Sequence, residues 1–182
     1  MDRLPSDAPP QDDEHAFKRW LARNAEQVLA AADVGPGRNV LDYGCGRGLF
    51  TLAAARMVGS NGAVHAVDVS TECLDVVRQE TRRQGLSNVA TFQLDPTTDL
   101  ASCLPRPVHT VLLYDVLQVV DDKARLLSAL CDVLKPHGTL SVFPMHVGVD
   151  ALLSLTSALP CLTVQGRQGM VLNFHYAGAI SP

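Results

Sequence analysis

The chain of 182 residues is poor in the signals that mark a secreted, membrane-bound or nucleic-acid-binding protein. Its five cysteines, at positions 45, 73, 103, 131 and 161, stand roughly thirty residues apart, with no CxxC pair and no histidine partner at ligand spacing. Neither a zinc centre nor a disulfide framework is expected from such scattered thiols, which suit a reducing compartment. The opening MDRLPSDAPPQDDE is polar and proline-rich, unlike a signal peptide, and no apolar run approaches the length of a membrane span. Basic residues are in deficit: 15 Lys and Arg face 19 Asp and Glu, a formal net charge of −4. A general nucleic-acid binder would need a basic face. A cytoplasmic protein without nucleic-acid or membrane partners is the expectation. Internal repeats and a second domain are also missing.

What is present is an ordinary globular composition, 47% apolar and 19% charged, long enough for one sizeable core. Residues 1–12 are expected to form a disordered tail and 13–182 a single domain. From Glu14 to Ala32, Phe17, Leu21, Ala25, Val28 and Leu29 share one helical face, opposite Lys18, Arg19, Arg23 and Glu26. Apolar strand candidates follow at 39–43, 63–68, 89–94, 108–114 and 138–144. Helical patterns lie between them near 48–58, 70–84 and 122–135, the last ended by Pro136-His137-Gly138 and begun by Asp121-Asp122 as cap. Alternating strands and helices imply βαβ units and a parallel, doubly wound α/β sheet with right-handed crossovers. A short helix near 149–158 then leads to strands at 161–165 and 169–176, joined through Gln165–Gly169. That hairpin should give the sheet an antiparallel edge, for seven strands in all, with the N-terminal helix as a cap.

The stretch Val40-Leu41-Asp42-Tyr43-Gly44-Cys45-Gly46-Arg47-Gly48 carries most of the chemistry. Glycines at every second position let backbone approach a ligand where a Cβ would collide. The helix that follows aims its free N–H groups at the same place. In an open α/β sheet ligands sit beyond the strands' C-terminal ends, where the strand order reverses. Each strand ends there in something polar: Asp42, then Asp68, then Asp95, then Tyr114-Asp115. Asp68, twenty residues after Gly48, can accept two hydrogen bonds from vicinal ribose hydroxyls.

These residues resemble the class I S-adenosylmethionine (SAM)-dependent methyltransferases. Asp42-x-Gly44-x-Gly46-x-Gly48 is similar to the family's motif I, and Asp68 to its acid at the end of strand two. Asp95 is similar to the acid after strand three that bonds the adenine amino group. Val111–Leu117 resembles the strand-four motif, and Leu134–Leu140 the turn before strand five. The motifs run in order over residues 34–176. The resemblance implies a Rossmann-like fold and a pocket for SAM, with S-adenosylhomocysteine as product. It places the methionyl end on the turn of Tyr43, Gly44, Cys45 and Gly46, with Asp42 orienting that turn and Gly48 closing it. It also puts Val69 on the adenine face and Tyr114 beside the cofactor. Pro96, where the family carries a small residue, has no N–H to give the adenine ring. A dinucleotide fold is the nearest rival, but its G-x-G-x-x-G fails in both frames, since Leu49 and Thr51 stand where the third glycine belongs.

Methyl transfer is an in-line displacement that mainly needs positioning and shelter from water, so the lack of a catalytic triad excludes nothing. Candidate acceptor-side residues are Tyr114, His146, Gln118, Trp20 and His15; of these, His146 and Tyr114 are the catalytic candidates. Set against them, His146 can be a rim histidine, Trp20 a core or lid contact, Cys45 packing and His175 structural. The Asn/Asp-Pro-Pro-Tyr of amino-methylating DNA enzymes, the Pro-Cys of cytosine-C5 enzymes and the paired glutamates of arginine methyltransferases are missing. Asp115 alone makes no catechol-type metal site. A small-molecule acceptor is the leading expectation. A catalytically silent SAM-binding partner or sensor is the second, and a nicotinamide-dependent oxidoreductase the third. With no lid segment between strands five and six, the acceptor site is open, or completed by a second protomer or partner, or built for a large acceptor.

Overall fold

The computed structural model describes residues 8–10, 13–94, 100–104 and 107–178. Seven strands form one sheet in the order β3-β2-β1-β4-β5-β7-β6. They are β1 Asn39–Tyr43, β2 Ala63–Asp68, β3 Val89–Gln93, β4 Val108–Tyr114, β5 Leu134–Phe143, β6 Leu162–Gln168 and β7 Val171–Tyr176. The first five run parallel, while β7 pairs antiparallel with both β5 and β6. The hairpin at the edge is therefore as expected. The helices are α1 Glu14–Arg23, α2 Ala25–Ala31, α3 Leu49–Val58, α4 Thr71–Arg83, α5 Leu100–Cys103, α6 Lys123–Asp132 and α7 Val149–Ser157.

Two faces of apolar side chains hold these layers together. Phe17, Leu21, Val28, Leu29 and Ala54 pack on Val40, Val64, Leu112 and Phe143 on one face. Leu126, Leu127 and Leu130 of α6 pack with Leu41, Val111, Leu113 and Leu140 on the other. Alternate residues of each central strand serve opposite faces, and both faces are covered, as a parallel sheet requires. Caps set the helix starts: Asp13 accepts from Ala16 N at 2.9 Å, Ser70 from Cys73 N at 3.2 Å, and Asp122 from Arg125 N at 2.9 Å.

Three sequence expectations need correction. The single helix over 14–32 is two helices, broken at Asn24, whose side chain donates to Trp20 O at 2.8 Å. An amide that bonds back to its own helix's carbonyl competes with the regular ladder. The helix before β5 ends at Asp132 rather than 135, and β5 starts at Leu134. The turn read at Pro136-His137-Gly138 is a bulge inside that strand, where pairing jumps from Val108↔Leu134 to Thr110↔Thr139. Of the tail expected over 1–12, only residues 8–10 are described, and Asp95 and Pro96 lie outside the described residues.

Candidate functional site: a cavity at the switch point

The chain builds β1, β2 and β3 outward, then returns to lay β4 on the other side of β1. Between the C-terminal ends of β1 and β4 opens a cavity of about 510 Å³. Its wall includes Tyr43, Gly44, Gly46, Asp68, Val69 and Tyr114, all singled out in the sequence.

The glycine turn is clipped to β2. Gly44 N and Cys45 N both donate to Val67 O, at 2.8 and 2.9 Å. Gly46 N donates to Asp68 Oδ2 at 2.8 Å, and Ser70 N to Asp68 Oδ1 at 2.9 Å. Each carboxylate oxygen thus accepts one bond and keeps capacity for another. Gly44 has φ +75, and a Cβ there would lie 2.3 Å from Val116 Cγ2. Only glycine lets the β1 turn and the segment after β4 come this close. Gly46, at φ +51, faces open space within the cavity wall, the room a ligand needs against backbone.

Asp42 lies below this turn, buried and outside the cavity lining. Its Oδ2 accepts from Thr51 Oγ1 at 2.5 Å, which ties β1 to the first turn of α3. Burial pushes its carboxyl up to about 6, opposed by the Thr51 bond and helped by the Asp68 charge. Cys45 is buried among Ala66, Leu74 and Val77, and burial drives its thiol well up, away from the reactive thiolate. Gly48 has φ +84 as the residue capping α3, close against Val77.

Tyr114 presents its ring to the cavity, edge-on to Phe50 with centroids 4.8 Å apart. Its hydroxyl is bonded to Ser141 Oγ at 2.7 Å, and burial raises its pKa, so it is held neutral on the sheet. Trp20 is a core side chain, stacked on Phe17 at 5.5 Å.

His146 is not in the cavity wall. It sits beyond β5 with φ +62, its Nδ1 3.0 Å from Glu14 Oε2 and its N–H donating to Glu14 Oε1 at 3.0 Å. Asp115, just beyond β4 with φ +61, lines the cavity and takes an ion pair from Lys18 and a bond from Gln118 Nε2 at 2.8 Å. Both non-glycine residues in left-handed conformation at the strand ends are thus held by α1. His15 joins them, its ring 6.1 Å from that of His146. Glu14 and Lys18, which make this fastening, were read only as part of the first helix and not as site residues, although their i, i+4 spacing puts them on one helix face. Thr51, Val116 and Val119 also went unnoticed, since single side chains carry no motif. A second cleft of about 260 Å³ opens beside Glu14, with Asp150, Arg167 and Phe143 in its wall.

Residues 35–160 match the family model described as a methyltransferase domain. The chain belongs to this family, the class I SAM-dependent methyltransferases. Among curated relatives, the ubiquinone/menaquinone biosynthesis C-methyltransferase UbiE of Francisella tularensis subsp. novicida is 32% identical over 133 residues, 71% of this chain and 51% of the relative. Aklanonic acid methyltransferase DauC of Streptomyces sp. is 40% identical over 62 residues, 34% of this chain and 28% of that one. The chain spans about half the length, or less, of these relatives. A SAM-dependent methyltransferase from Aquifex aeolicus shares the methyltransferase fold with a TM-score of 0.68 at 21% identity, covering 91% of this chain and 93% of that one. A putative rRNA-methylase from Clostridium thermocellum superposes equally well, TM-score 0.68 at 18% identity, over 87% and 96%. Among the described residues no helix is long and apolar enough to cross a membrane, and no three His, Cys, Asp or Glu are grouped to hold a metal ion.

Proposed function

We propose that the chain is a methyltransferase that binds SAM in the switch-point cavity and methylates a small molecule beneath α1. One observation carries the cofactor reading: Asp68 and the open face of Gly46 are joined by a hydrogen bond and share one cavity wall. The remaining acceptor capacity of Asp68 suits vicinal ribose hydroxyls. Val69 and Val119, both exposed apolar side chains, offer cover to an adenine ring. The turn of Tyr43, Gly44, Cys45 and Gly46 would hold the methionyl end, with Asp42 fixing it through Thr51 and Gly48 starting α3. Asp95 and Pro96 belong to the same reading by sequence alone. Bound there, SAM supplies an electrophilic methyl group on a sulfonium.

The chain's own residues then position and shelter. Tyr114, with Phe50 packed edge-on against it, walls the reaction side, and its hydroxyl, tied to Ser141, keeps that wall rigid rather than carrying a proton. Gln118, through its Nε2, holds Asp115 in place at the cavity wall. His146, with His15 beside it, lies outside both cavity walls and bonded to Glu14, so its part in the reading is to hold α1 over the site. The second cleft beside Glu14 gives the acceptor a place to lie.

A small molecule is favoured over RNA by charge. Glu14 and Asp150 outnumber Arg167 in the second cleft, and at the switch-point cavity Lys18 is already paired with Asp115. A phosphate backbone needs unpaired cations there. The names of the curated relatives support a ring-bearing acceptor. The test is S-adenosylhomocysteine release in the presence of quinone precursors, aklanonic acid and an rRNA transcript. Turnover with a small molecule and none with RNA supports the proposal; turnover with RNA alone overturns the acceptor class, and SAM binding without turnover favours a silent binding partner.

A further inference from the structure

The opposite end of the sheet carries two imidazoles that the proposed reaction does not use. His137 Nδ1 and His175 Nε2 are 3.4 Å apart, with ring centroids 5.4 Å apart and planes 25° from parallel. That separation is longer than an ordinary N–H···N or N–H···O hydrogen bond, which runs at about 2.7–3.2 Å. The nitrogens are closer than the centroids by nearly two ring radii, so they are the facing edges of the two rings. Metal–imidazole bonds of about 2.0–2.1 Å at a tetrahedral angle place two nitrogens about 3.3–3.4 Å apart. The gap between the rings admits a long imidazole–imidazole hydrogen bond, and it also matches the spacing of two ligands on one zinc ion.

The backbone holds both rings in this arrangement. His137 stands in the β5 bulge with φ +65, and Gly138 beside it is wedged so tightly that a Cβ would lie 2.8 Å from Lys135 O and 2.9 Å from His109 O. His175 is in β7, paired with Thr139 of β5 on one side and Thr163 of β6 on the other. Donors on paired strands are pre-organised, which a loop would not achieve. Lys135 is turned to His109, its Nζ 3.0 Å from Nε2, and leaves the pair to itself. His137 is exposed and His175 partly so, giving an ion an open path.

We propose that His137 and His175 form a two-imidazole site for Zn²⁺ at the base of the sheet. No third His, Cys, Asp or Glu completes the set among the described residues, so water or a second copy of the chain fills the remaining positions. The affinity is therefore modest and the site separate from methyl transfer.

The test is Zn²⁺ titration of the full chain after EDTA stripping, by calorimetry and by imidazole ¹H–¹⁵N NMR. The expected result is a site whose filling shifts the ring signals of both His137 and His175. His137→Gln and His175→Gln should each weaken it at least tenfold, with melting temperatures in EDTA matching the wild type. A ratio of one ion per two chains assigns the outer positions to a second copy, and one per chain assigns them to water. Ring signals unmoved by millimolar zinc overturn the proposal even where a variant fails to fold, as does unchanged zinc affinity in both folded variants.

Discussion

Gly46 gives its backbone N–H to Asp68 at 2.8 Å, so the glycine turn after β1 and the acid ending β2 act as one unit. The same carboxylate also accepts from Ser70 N at the start of α4. A ligand that reaches Asp68 therefore meets an acceptor whose position is already fixed from two sides.

Asp68→Asn keeps one acceptor oxygen but brings a donor against one of the two backbone N–H groups. SAM affinity should fall about tenfold to a hundredfold, the worth of one or two charge-assisted hydrogen bonds. Asp68→Ala should lose more and also melt lower, because Gly46 N and Ser70 N both lose their partner. Calorimetry with SAM beside thermal unfolding separates the two effects.

Gly44→Ala sets a Cβ 2.3 Å from Val116 Cγ2 at a φ of +75. Stability should drop by about 1–3 kcal/mol, from overpacking and left-handed strain. Adding Val116→Ala should recover the packing part and leave the backbone part. Urea unfolding of the single and double variants measures the split; equal losses in both would show that Val116 is not what the glycine accommodates.

Thr51→Val removes the hydroxyl that donates to buried Asp42. Burial raises the Asp42 carboxyl to about 6 in the folded protein, from 3.8 unfolded. The folded state thus holds the proton more tightly. Its favourable contribution is full below about pH 4 and is lost as pH rises through 6, by about 2–3 kcal/mol. The Thr51 bond favours the charged form, so its removal should cost about 2 kcal/mol at pH 8 and clearly less at pH 5. Denaturant unfolding of wild type and variant at the two pH values checks the sign.

Lys18→Ala cuts one fastening of α1 over the cavity while Glu14 keeps the other to His146. The Lys18 side chain is 54% exposed, so stability should change by less than about 1 kcal/mol. SAM affinity should hold, and the KM for the acceptor should move. Steady-state kinetics with each substrate varied in turn reads this; an unchanged acceptor KM would detach α1 from the acceptor site.

The frame of the fold was legible because its signals are local and repeated. Apolar runs gave β1 to β4 nearly to the residue, and Gly169 marked the edge hairpin, whereas Gly166, read as part of the connection, lies inside β6 and pairs with Asn173. Asn24 hid the break after α1, since the apolar face continues through Leu21, Ala25 and Val28. The β5 bulge was also hidden: Pro136 and Gly138 mark a turn equally well between elements or within a strand, and only pairing with β4 distinguishes them. In the site, Gly44, Gly46 and Asp68 announced themselves by spacing. The Lys18–Asp115 pair spans 97 positions and the Glu14–His146 bond 132, and no local pattern encodes partners so far apart. Those contacts moved His146 from the cavity to its rim and turned the N-terminal helix into a fastened cap.

The most direct test of the account is calorimetry of the wild-type chain with SAM, S-adenosylhomocysteine and NADH. Binding of SAM and S-adenosylhomocysteine, weakened in Asp68→Asn and absent for NADH, is the predicted result. Binding of NADH without either sulfur compound would contradict the reading of the switch-point cavity.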